Sequence, residues 1–435
     1  MAMGTSSTAE PLNLGAQGGP AGPGRPIEGG GVASARGFRA AGVHAGFRRD
    51  PSRLDLALVA SDEPAACAAV FTRNVFCAAP VIVDREYLDG CGYGIARALV
   101  VNSGVANAAT GEEGLEDARA MAALTARALG CPQSEIMVAS TGVIGVRLPM
   151  ERFDEGIPAV VGALGPQGGS DAARAIMTTD THPKEAAVAF DGAPFGYEGC
   201  TFTVGGMVKG SGMIMPNMAT MIACLTTDAP VAAEDLHRVL VSVADRTFNK
   251  VTVDSDTSTN DSCFLFASGA AAPGAPAFAA GSEALAAFEQ VLLQVCLQLA
   301  RAMAADGEGA TKLMTVRVAG AASEADADAA ARAVANSPLV KTAVYGHDAN
   351  WGRIAMAVGK CGAVFDQHDV AIDIMGIPVC RNGLTIPFSE EEALRRFERP
   401  EIELEVHLGA GNHETAVFTC DLTHDYITIN GDYRT

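Results

Sequence analysis

The chain has 435 residues, of which 49% are hydrophobic and 19% are charged, and its formal net charge is −20. This length suits two domains or two large lobes, and the apolar content is too high for a disordered chain. The negative charge argues against nucleic acid and anionic membranes as partners, because both repel an acidic protein.

The 11 cysteines lie mostly inside apolar stretches, and no C-x-x-C pair occurs. Together with the lack of an apolar leader and of a long apolar run, this predicts a reduced protein of the cytoplasm. The eight histidines form no HExxH or H-x₃-H pair. We therefore expect no metal site, and a lone histidine such as His44 or His413 is interpreted as structural.

Residues 1–30 are rich in Gly, Pro and Ser and predict a flexible tail. From Gly31 onward, short apolar runs alternate with turn residues, which indicates a mixture of helices and strands. The predicted elements are strands at residues 54–60 (LDLALVA) and 79–84 (APVIVD), a buried strand ending in a turn at 96–104 (ARALVVNSG), and a helix at 115–130 (LEDARAMAALTARALG).

The strongest helical pattern begins after Ser282, a predicted N-cap, and ends near Gly307. The later predicted elements are strands at 315–322 (TVRVAGAA), 402–409 (IELEVHLG), 414–423 (ETAVFTCDLT) and 425–431 (DYITING), and a helix at 324–336 (EADADAAARAVAN). No repeat of 20 to 50 residues is evident.

Two segments imitate known ligand loops. Residues 251–261 (VTVDSDTSTND) alternate acids as a calcium loop does, but Thr259 and Leu265 occupy the positions of the required glycine and glutamate. Residues 205–212 (GGMVKGSG) lack the spacing of a phosphate-binding loop. Both are interpreted as loops.

The step Ala219-Thr220 has two interpretations. In one, Thr220 begins the strand TMIACLTT after a Pro-Asn turn. In the other, the chain is cut before Thr220, whose new α-amino group, with a pKa of about 7.7–8.0, takes the proton of its own hydroxyl. Ala219 is small, and the glycines at 210 and 212 let the main chain approach closely.

A hydroxyl that attacks an amide requires donors aimed at the developing oxyanion. Residues 135–149 (EIMVASTGVIGVRLP) supply a candidate, because an apolar strand runs into Ser140, Thr141 and Gly142, which we expect to form a turn. In that turn, a side-chain hydroxyl and a backbone N–H are expected to point at the same position, where the oxyanion would develop.

The segment KGSGMIMPNMATM closely resembles the processing site of the ornithine acetyltransferases, the glutamate N-acetyltransferase family of arginine biosynthesis. The similarity continues in the expected order through GFRAAGVHAGF, AAVFTRNVFCAAPV, VNSGVANAATG, ASTGVIG, IMTTDTHPKEA, VDSDTSTNDS, DGEGATK, LVKTAVYGHDANWGRIAMAVG and YITINGDYRT. The resemblance implies an α+β fold, a layered α/β/β/α-type sandwich of the ornithine acetyltransferase and DmpA-like amidase group. It also implies an α chain of residues 31–219 and a β chain of residues 220–435.

The resemblance further assigns roles to individual residues. Thr220 matches the nucleophile, and Thr141 and Gly142 match the pair that stabilises the oxyanion. The residues that match substrate-binding positions are Lys209, Glu308, Asn430, Thr435 and, with Thr179 and Thr181 as alternatives, Thr178.

These side chains fit the implied substrates, N-acetylornithine and glutamate. Lys209 suits a carboxylate, and Glu308, which the glycines of DGEGATK are expected to expose, suits the ornithine ammonium. The structural alternatives are a solvated loop lysine and an ordinary acid at a helix end. Because the last predicted strand continues almost to Thr435, we expect Asn430 and Thr435 to be held in a pocket.

The implied reaction is an acetyl exchange through an acetyl-Thr220 ester, with no cofactor or metal. Some members of the family also accept acetyl-CoA as a co-substrate, and the motifs leave this open. The α and β chains are expected to pair, and two such pairs to form a dimer. The alternatives are an aminopeptidase or amidase of the same fold and an uncleaved metabolite-binding protein.

Overall fold

A computed structural model describes residues 24–215 and 221–432 of the chain. They form two compact units. The N-terminal unit consists of the described residues of 24–308, 417–419 and 427–432, and the C-terminal unit of 309–416 and 420–426. The described residues on both sides of the predicted cleavage position, Met215 and Met221, therefore belong to the N-terminal unit.

The N-terminal unit is built on a nine-stranded mixed sheet. Its strands are β1 (Arg25–Pro26), β2 (Phe38–Val43), β3 (Leu56–Phe71), β4 (Tyr93–Val105), β5 (Ile136–Val143), β6 (Lys184–Asp191), β7 (Thr201–Lys209), β8 (Ile222–Thr227) and β9 (Ser262–Ala267). Their order is β1-β6-β7-β8-β9-β3-β4-β5, and β2 pairs with β3. The pairs β4–β5 and β8–β9 are parallel.

Among the described residues between 79 and 305, six α-helices accompany this sheet. They are α1 (Ala79–Tyr87), α2 (Gly111–Leu129), α3 (Glu151–Gly162), α4 (Gly169–Ala175), α5 (Ala233–Arg246) and α6 (Glu283–Ala305). Side chains of β3 alternate between two apolar clusters, with Leu56 and Leu58 in one and Ala57 and Val59 in the other. Helices α2 and α3 contribute to the first cluster and α4 to the second, so both faces of β3 are buried.

Helix α6 begins at its predicted N-cap, where the Ser282 hydroxyl accepts a hydrogen bond from the Leu285 amide at 3.2 Å. It ends at the C-cap Asp306, next to the predicted Gly307. By length and composition this helix is apolar enough to cross a membrane, yet 61% of its most apolar window is buried, and it packs against β6 and β7. Burial of this kind is typical of a core helix.

The C-terminal unit is built on a six-stranded sheet of order β13-β12-β11-β14-β10-β15. Its strands are β10 (Leu313–Ala321), β11 (Ala371–Ile374), β12 (Ile377–Arg381), β13 (Leu384–Thr385), β14 (Glu401–His407) and β15 (His413–Cys420). Its helices are α7 (Glu324–Ala335), α8 (Pro338–Tyr345), α9 (Trp351–Gly359) and α10 (Glu390–Arg396), and α11 (His424–Asp432) follows β15. The two mixed sheets and their helices confirm the predicted α+β sandwich class.

Two predictions in the first hundred residues are wrong. Residues 79–84, predicted as a strand, begin helix α1, since Pro80 is favourable in the first helical turn and the valines find a core to pack against. The predicted tail is also too long, because Arg25 and Pro26 pair with β6 as strand β1. Residues 1–23 lie outside the described residues.

The predicted last strand is wrong as well. Residues 425–431 belong to helix α11, and Ile427 is 70% exposed. A short run of β-branched residues predicts a strand only where a neighbouring strand and a buried face accept it. Asn430 is therefore placed by a helix.

Candidate active site

Strand β7 ends before the predicted cleavage segment, and strand β8 begins after it. Lys209, the last residue of β7, pairs in register with Ile222 of β8. The amide of Ser262, at the start of β9, donates to the carbonyl of Met221 at 2.8 Å. Residues 216–220 lie outside the described residues. Met221, which follows them, is held by this hydrogen bond to β9.

Lys209 is only 8% exposed, so its interpretation as a solvated loop charge is wrong. Burial is the largest influence on the pKa of Lys209 and lowers it, and the ammonium of Lys184 lowers it further. The carboxylates of Asp180, Asp261 and Glu308 act in the opposite direction. Burial thus opposes the charge of Lys209, and three neighbouring acids favour it.

Glu308 is also only 8% exposed, which corrects the prediction that glycines expose it. Its amide donates to the Ser211 carbonyl at 3.0 Å, and its Oε2 accepts a hydrogen bond from Nδ2 of Asn430 at 2.7 Å. A Cβ atom on Gly212 would lie 2.4 Å from the Glu308 carboxyl carbon. Gly212 is therefore required to let this carboxylate pack against the main chain.

A buried ionic network lies behind these two residues. Nζ of Lys184 donates to Oδ1 of Asp180 at 2.7 Å and to Oδ2 of Asp306. Oδ1 of Asp180 also accepts the amide of Gly210 at 2.7 Å. Because Gly210 follows the predicted ligand Lys209 and Asp306 precedes Glu308 by two residues, the network joins both segments of the site.

The pKa values of this network follow from burial and charge. Burial raises the pKa of Asp180, but the ammonium groups of Lys184 and Lys209 outweigh it and hold that pKa well below its usual range. Burial likewise opposes the charge of Asp306, yet hydrogen bonds and the charge of Lys184 lower its pKa. Burial lowers the pKa of Lys184, but the two aspartates outweigh it and raise that pKa. All three groups therefore stay charged near neutral pH.

These pKa shifts predict how the free energy of unfolding depends on pH in the wild type, and they predict the opposite dependence in a variant without Lys184. The lowered carboxyl pKa values stabilise the wild type above the usual pKa of aspartate, and this stability is lost as pH falls through the folded values. Lys184→Met removes the one ammonium that is hydrogen-bonded to both Asp180 and Asp306 and is expected to cost about 3–5 kcal/mol. Because protonation then relieves that cost, the variant should become more stable from pH 7 to pH 5.

The measurement is the free energy of unfolding in urea at both pH values. Lys360→Met is the matched control, since Lys360 is exposed, and it should behave like the wild type. A Lys184→Met variant with the pH dependence of the wild type would contradict the network.

The segment with the three candidate threonines also contacts this network. Thr178 is 8% exposed, and its amide donates to Asp180 at 2.9 Å. The amide and the hydroxyl of Thr181 both donate to Asp306. The Thr181 hydroxyl is therefore already engaged with a buried carboxylate, and Thr178, Thr179 and Thr181 all stay candidates for the predicted substrate contact.

Thr141 and Gly142 lie on β5, where they pair with Ser103 and Gly104 of β4, and not in the predicted turn. Gly142 has φ 134°. A Cβ atom there would lie 2.3 Å from the carbonyl carbon of Gly104. Only glycine therefore permits this close approach of the two strands.

Asn260, in the loop that precedes β9, connects that loop with strand β5. The sequence alone did not single out Asn260. Its Nδ2 donates to the carbonyls of Ala106 and Ser140 at 2.6 and 2.8 Å. The Ser140 hydroxyl donates to buried Asn102 at 2.6 Å. The available signal was the presence of Asn102 and Asn260 beside apolar strands, since a buried amide requires partners.

The structure thus brings some of the predicted site residues together. Lys209 and Glu308 influence each other electrostatically, and Asn430 is hydrogen-bonded to Glu308. The predicted residues that lie outside the described part of the chain are Ala219, Thr220 and Thr435. Within the described part, no cluster of three or more His, Cys, Asp or Glu side chains is arranged to hold a metal ion. A buried cation and a buried acid suit a ligand that carries both charges.

Comparisons with known proteins place this chain in a family. The model of the ArgJ family matches residues 39–435. The arginine biosynthesis bifunctional protein ArgJ of Symbiobacterium thermophilum is 49% identical over 407 residues, which cover 93% of this chain and 99% of that protein. The protein of the same name from Nitratidesulfovibrio vulgaris is 46% identical over 407 residues, with coverage of 92% and 99%.

Two solved structures are also similar. A crystal structure of the arginine biosynthesis bifunctional protein argJ from Bacillus halodurans is 40% identical, with a TM-score of 0.46, and covers 48% of this chain and 97% of its own. Ornithine acetyltransferase complexed with ornithine from Mycobacterium tuberculosis is 43% identical, with a TM-score of 0.41, and covers 45% and 100%.

The family model and the curated relatives define an acyltransferase of arginine biosynthesis. Within that class, the chain belongs to the ArgJ family, whose model matches nearly its whole length.

Proposed function

We propose that the chain cleaves itself between Ala219 and Thr220, and that the freed Thr220 transfers the acetyl group of N2-acetylornithine to glutamate. The observation that carries this proposal is the pair of buried opposite charges, Lys209 and Glu308, beside the cleavage segment. Lys209 pairs with Ile222, which follows Thr220 by two residues. An N-acetylated amino acid held by these charges would lie near the start of β8, the strand that follows the proposed nucleophile in the chain.

The cleavage begins with an N-to-O acyl shift. The Thr220 hydroxyl oxygen bonds to the Ala219 carbonyl carbon, the peptide C–N bond breaks, and the hydroxyl proton moves to the released nitrogen. Water then hydrolyses the ester. Ala219 thereby becomes the carboxyl terminus of one chain, and Thr220 regains its hydroxyl and gains an amino group.

The transfer uses that amino group as the base. It takes the proton of the Thr220 hydroxyl while the oxygen attacks the acetyl carbonyl, and donors at Thr141 and Gly142 stabilise the oxyanion. The amide C–N bond breaks, and the departing nitrogen of ornithine receives the proton. The neutral amine of glutamate then attacks the acetyl ester and the C–O bond breaks. The proton that this nitrogen loses passes through the Thr220 amino group to the departing oxygen, which restores the hydroxyl.

The substrate contacts follow from charge. Lys209 binds the α-carboxylate that donor and acceptor share, and Glu308, oriented by Asn430, binds the side-chain ammonium of ornithine. Thr178 and Thr435 add hydrogen bonds.

The two product chains are expected to remain associated. The proposed α chain contributes β7 and β3, and the proposed β chain contributes β8 and β9, which pair with them in one sheet. The backbone hydrogen bonds of that sheet survive the cleavage, so the chains should separate only under denaturing conditions. We further propose a dimer of these pairs in the cytoplasm, where the eleven free cysteines stay reduced.

The experiment supplies purified enzyme with N-acetylornithine in the presence or absence of glutamate. Sustained release of ornithine is expected only with glutamate, and about one equivalent per site without it, because the acetyl ester waits for an acceptor. Sustained release without glutamate would instead support an aminopeptidase or amidase. Since the relatives are named bifunctional, we also expect acetyl-CoA and glutamate to release the thiol of coenzyme A, which a thiol reagent detects.

A further inference from the structure

The segment that imitates a calcium loop holds the chain on both sides of the proposed cleavage site. The carboxylate of Asp254 accepts the amides of Met213 and Ile214 at 2.6 and 2.8 Å. The hydroxyl of Thr257 donates to the carbonyl of Met215 at 2.8 Å. The last described residues before the cleavage segment are therefore all bonded to one loop.

The same loop continues to the other side of the cleavage segment. It leads into β9, where the Ser262 amide holds the carbonyl of Met221 at 2.8 Å. The loop is itself anchored, because Nδ2 of Asn74 donates to the carbonyl of Thr257 at 2.8 Å and the Thr72 amide donates to the carbonyl of Asp261 at 2.9 Å. The described residues on both sides of the cleavage segment, 213–215 and Met221, are thus bonded to one stretch of chain, residues 254–262.

The approach to the cleavage site adopts an unusual conformation. Met213 has φ 56°, in the left-handed region that residues with a side chain rarely occupy. Two successive amides that point at one carboxylate require such a bend, and a charged acceptor stabilises it more than a neutral one. Asp254 therefore compensates for the unfavourable conformation of Met213.

We propose that Asp254 and Thr257 are positioning residues for the self-cleavage, which hold residues 213–215 in the bend that leads into the cleavage segment. This role rests on the proposed function, since it requires that the chain cleaves itself. Asp254 acts through the main chain of Met213 and Ile214 and takes no part in the bond changes.

The test follows the conversion of newly synthesised full-length chain into two fragments on denaturing gels. Asp254→Asn removes the charge of the group that accepts the amides of Met213 and Ile214. We expect cleavage to slow at least about tenfold, because each factor of ten corresponds to the loss of one charge-assisted hydrogen bond's worth of stabilisation. Thr257→Val, which keeps the shape of the side chain, should slow it severalfold. Asp256→Asn is the matched control, because Asp256 is exposed in the same loop, and it should cleave within about twofold of the wild type.

A second readout separates positioning from general destabilisation. Adding Met213→Gly to Asp254→Asn should restore part of the cleavage rate, because glycine adopts the left-handed conformation without strain. The unfolding temperature should not change in parallel with the rate. If Asp254→Asn does not fold, Thr257→Val carries the test.

The outcomes distinguish the two proposals. A wild-type chain that stays whole overturns the self-cleavage itself, and this role with it. A wild type that cleaves while Asp254→Asn and Thr257→Val cleave equally fast overturns only the positioning role. Slow cleavage of Asp254→Asn with no rescue by Met213→Gly would also contradict it, because the bend at Met213 would not be what Asp254 supplies.

Discussion

Replacing Thr220 by valine is expected to leave the chain whole and to abolish acetyl transfer. Valine has nearly the shape of threonine but no hydroxyl, so neither the acyl shift nor the acetyl ester can form. The loss of a catalytic nucleophile should lower kcat by at least about ten-thousandfold. Denaturing gels and intact mass would show one chain near 44.6 kDa, and ornithine release would measure the activity.

Thr220→Ser is the conservative control. Serine retains a hydroxyl beside its amino group, so slower but complete cleavage and residual transfer are expected. Full activity of an uncleaved Thr220→Val chain would refute both the nucleophile and the cleavage. A cleaved but inactive Thr220→Val chain would show that another group cuts the peptide bond.

The sequence predicted the elements whose patterns depend on local chemistry. Helix α6 has a long apolar stripe and a serine that caps its first turn, and both are present in the structure. Strands β4 and β8 contain the apolar runs ALVV (residues 98–101) and IACL (residues 222–225), which are typical of buried strands. In α1 and α11 the local signal was a few β-branched residues, and the surrounding structure determined their conformation.

The burial of the site could not be predicted from the local sequence. Lys209 and Glu308 are 99 residues apart, and each alone resembles a charged residue in a wet turn. Gly212 leaves room for the Glu308 carboxylate, and Asp180 of the Lys184 network accepts the amide that follows Lys209. Such contacts arise only when β6, β7 and the end of α6 pack together, and no spacing along the chain encodes them.

The role of the loop before β9 could not be predicted from the local sequence either. Its alternating acids suggested a cation site that its spacing then excluded, and in the structure one of them, Asp254, accepts backbone amides. A carboxylate that binds N–H groups and one that binds a metal have the same sequence signature. Only the fold distinguishes them, because it places Met213 and Ile214 opposite Asp254.

Glu308→Gln is expected to separate the two substrates. It preserves the shape of the side chain and the hydrogen bond to Asn430 but removes the charge that the ornithine ammonium requires. Loss of one partner of a buried charged pair costs about 2–5 kcal/mol, so KM for N-acetylornithine should rise at least about thirtyfold.

Glutamate carries a negative side chain, which the Glu308 carboxylate repels, so its KM should stay the same or fall in Glu308→Gln. Lys209→Met should instead raise both KM values, since Lys209 is proposed to bind the carboxylate common to both substrates. Glu289→Gln is the matched control, because Glu289 lies on α6 and bonds Ser242, and it should leave both values unchanged. An equal rise of both KM values in Glu308→Gln would contradict this assignment, because an acid that only maintains the fold has no reason to distinguish a cationic donor from an anionic acceptor.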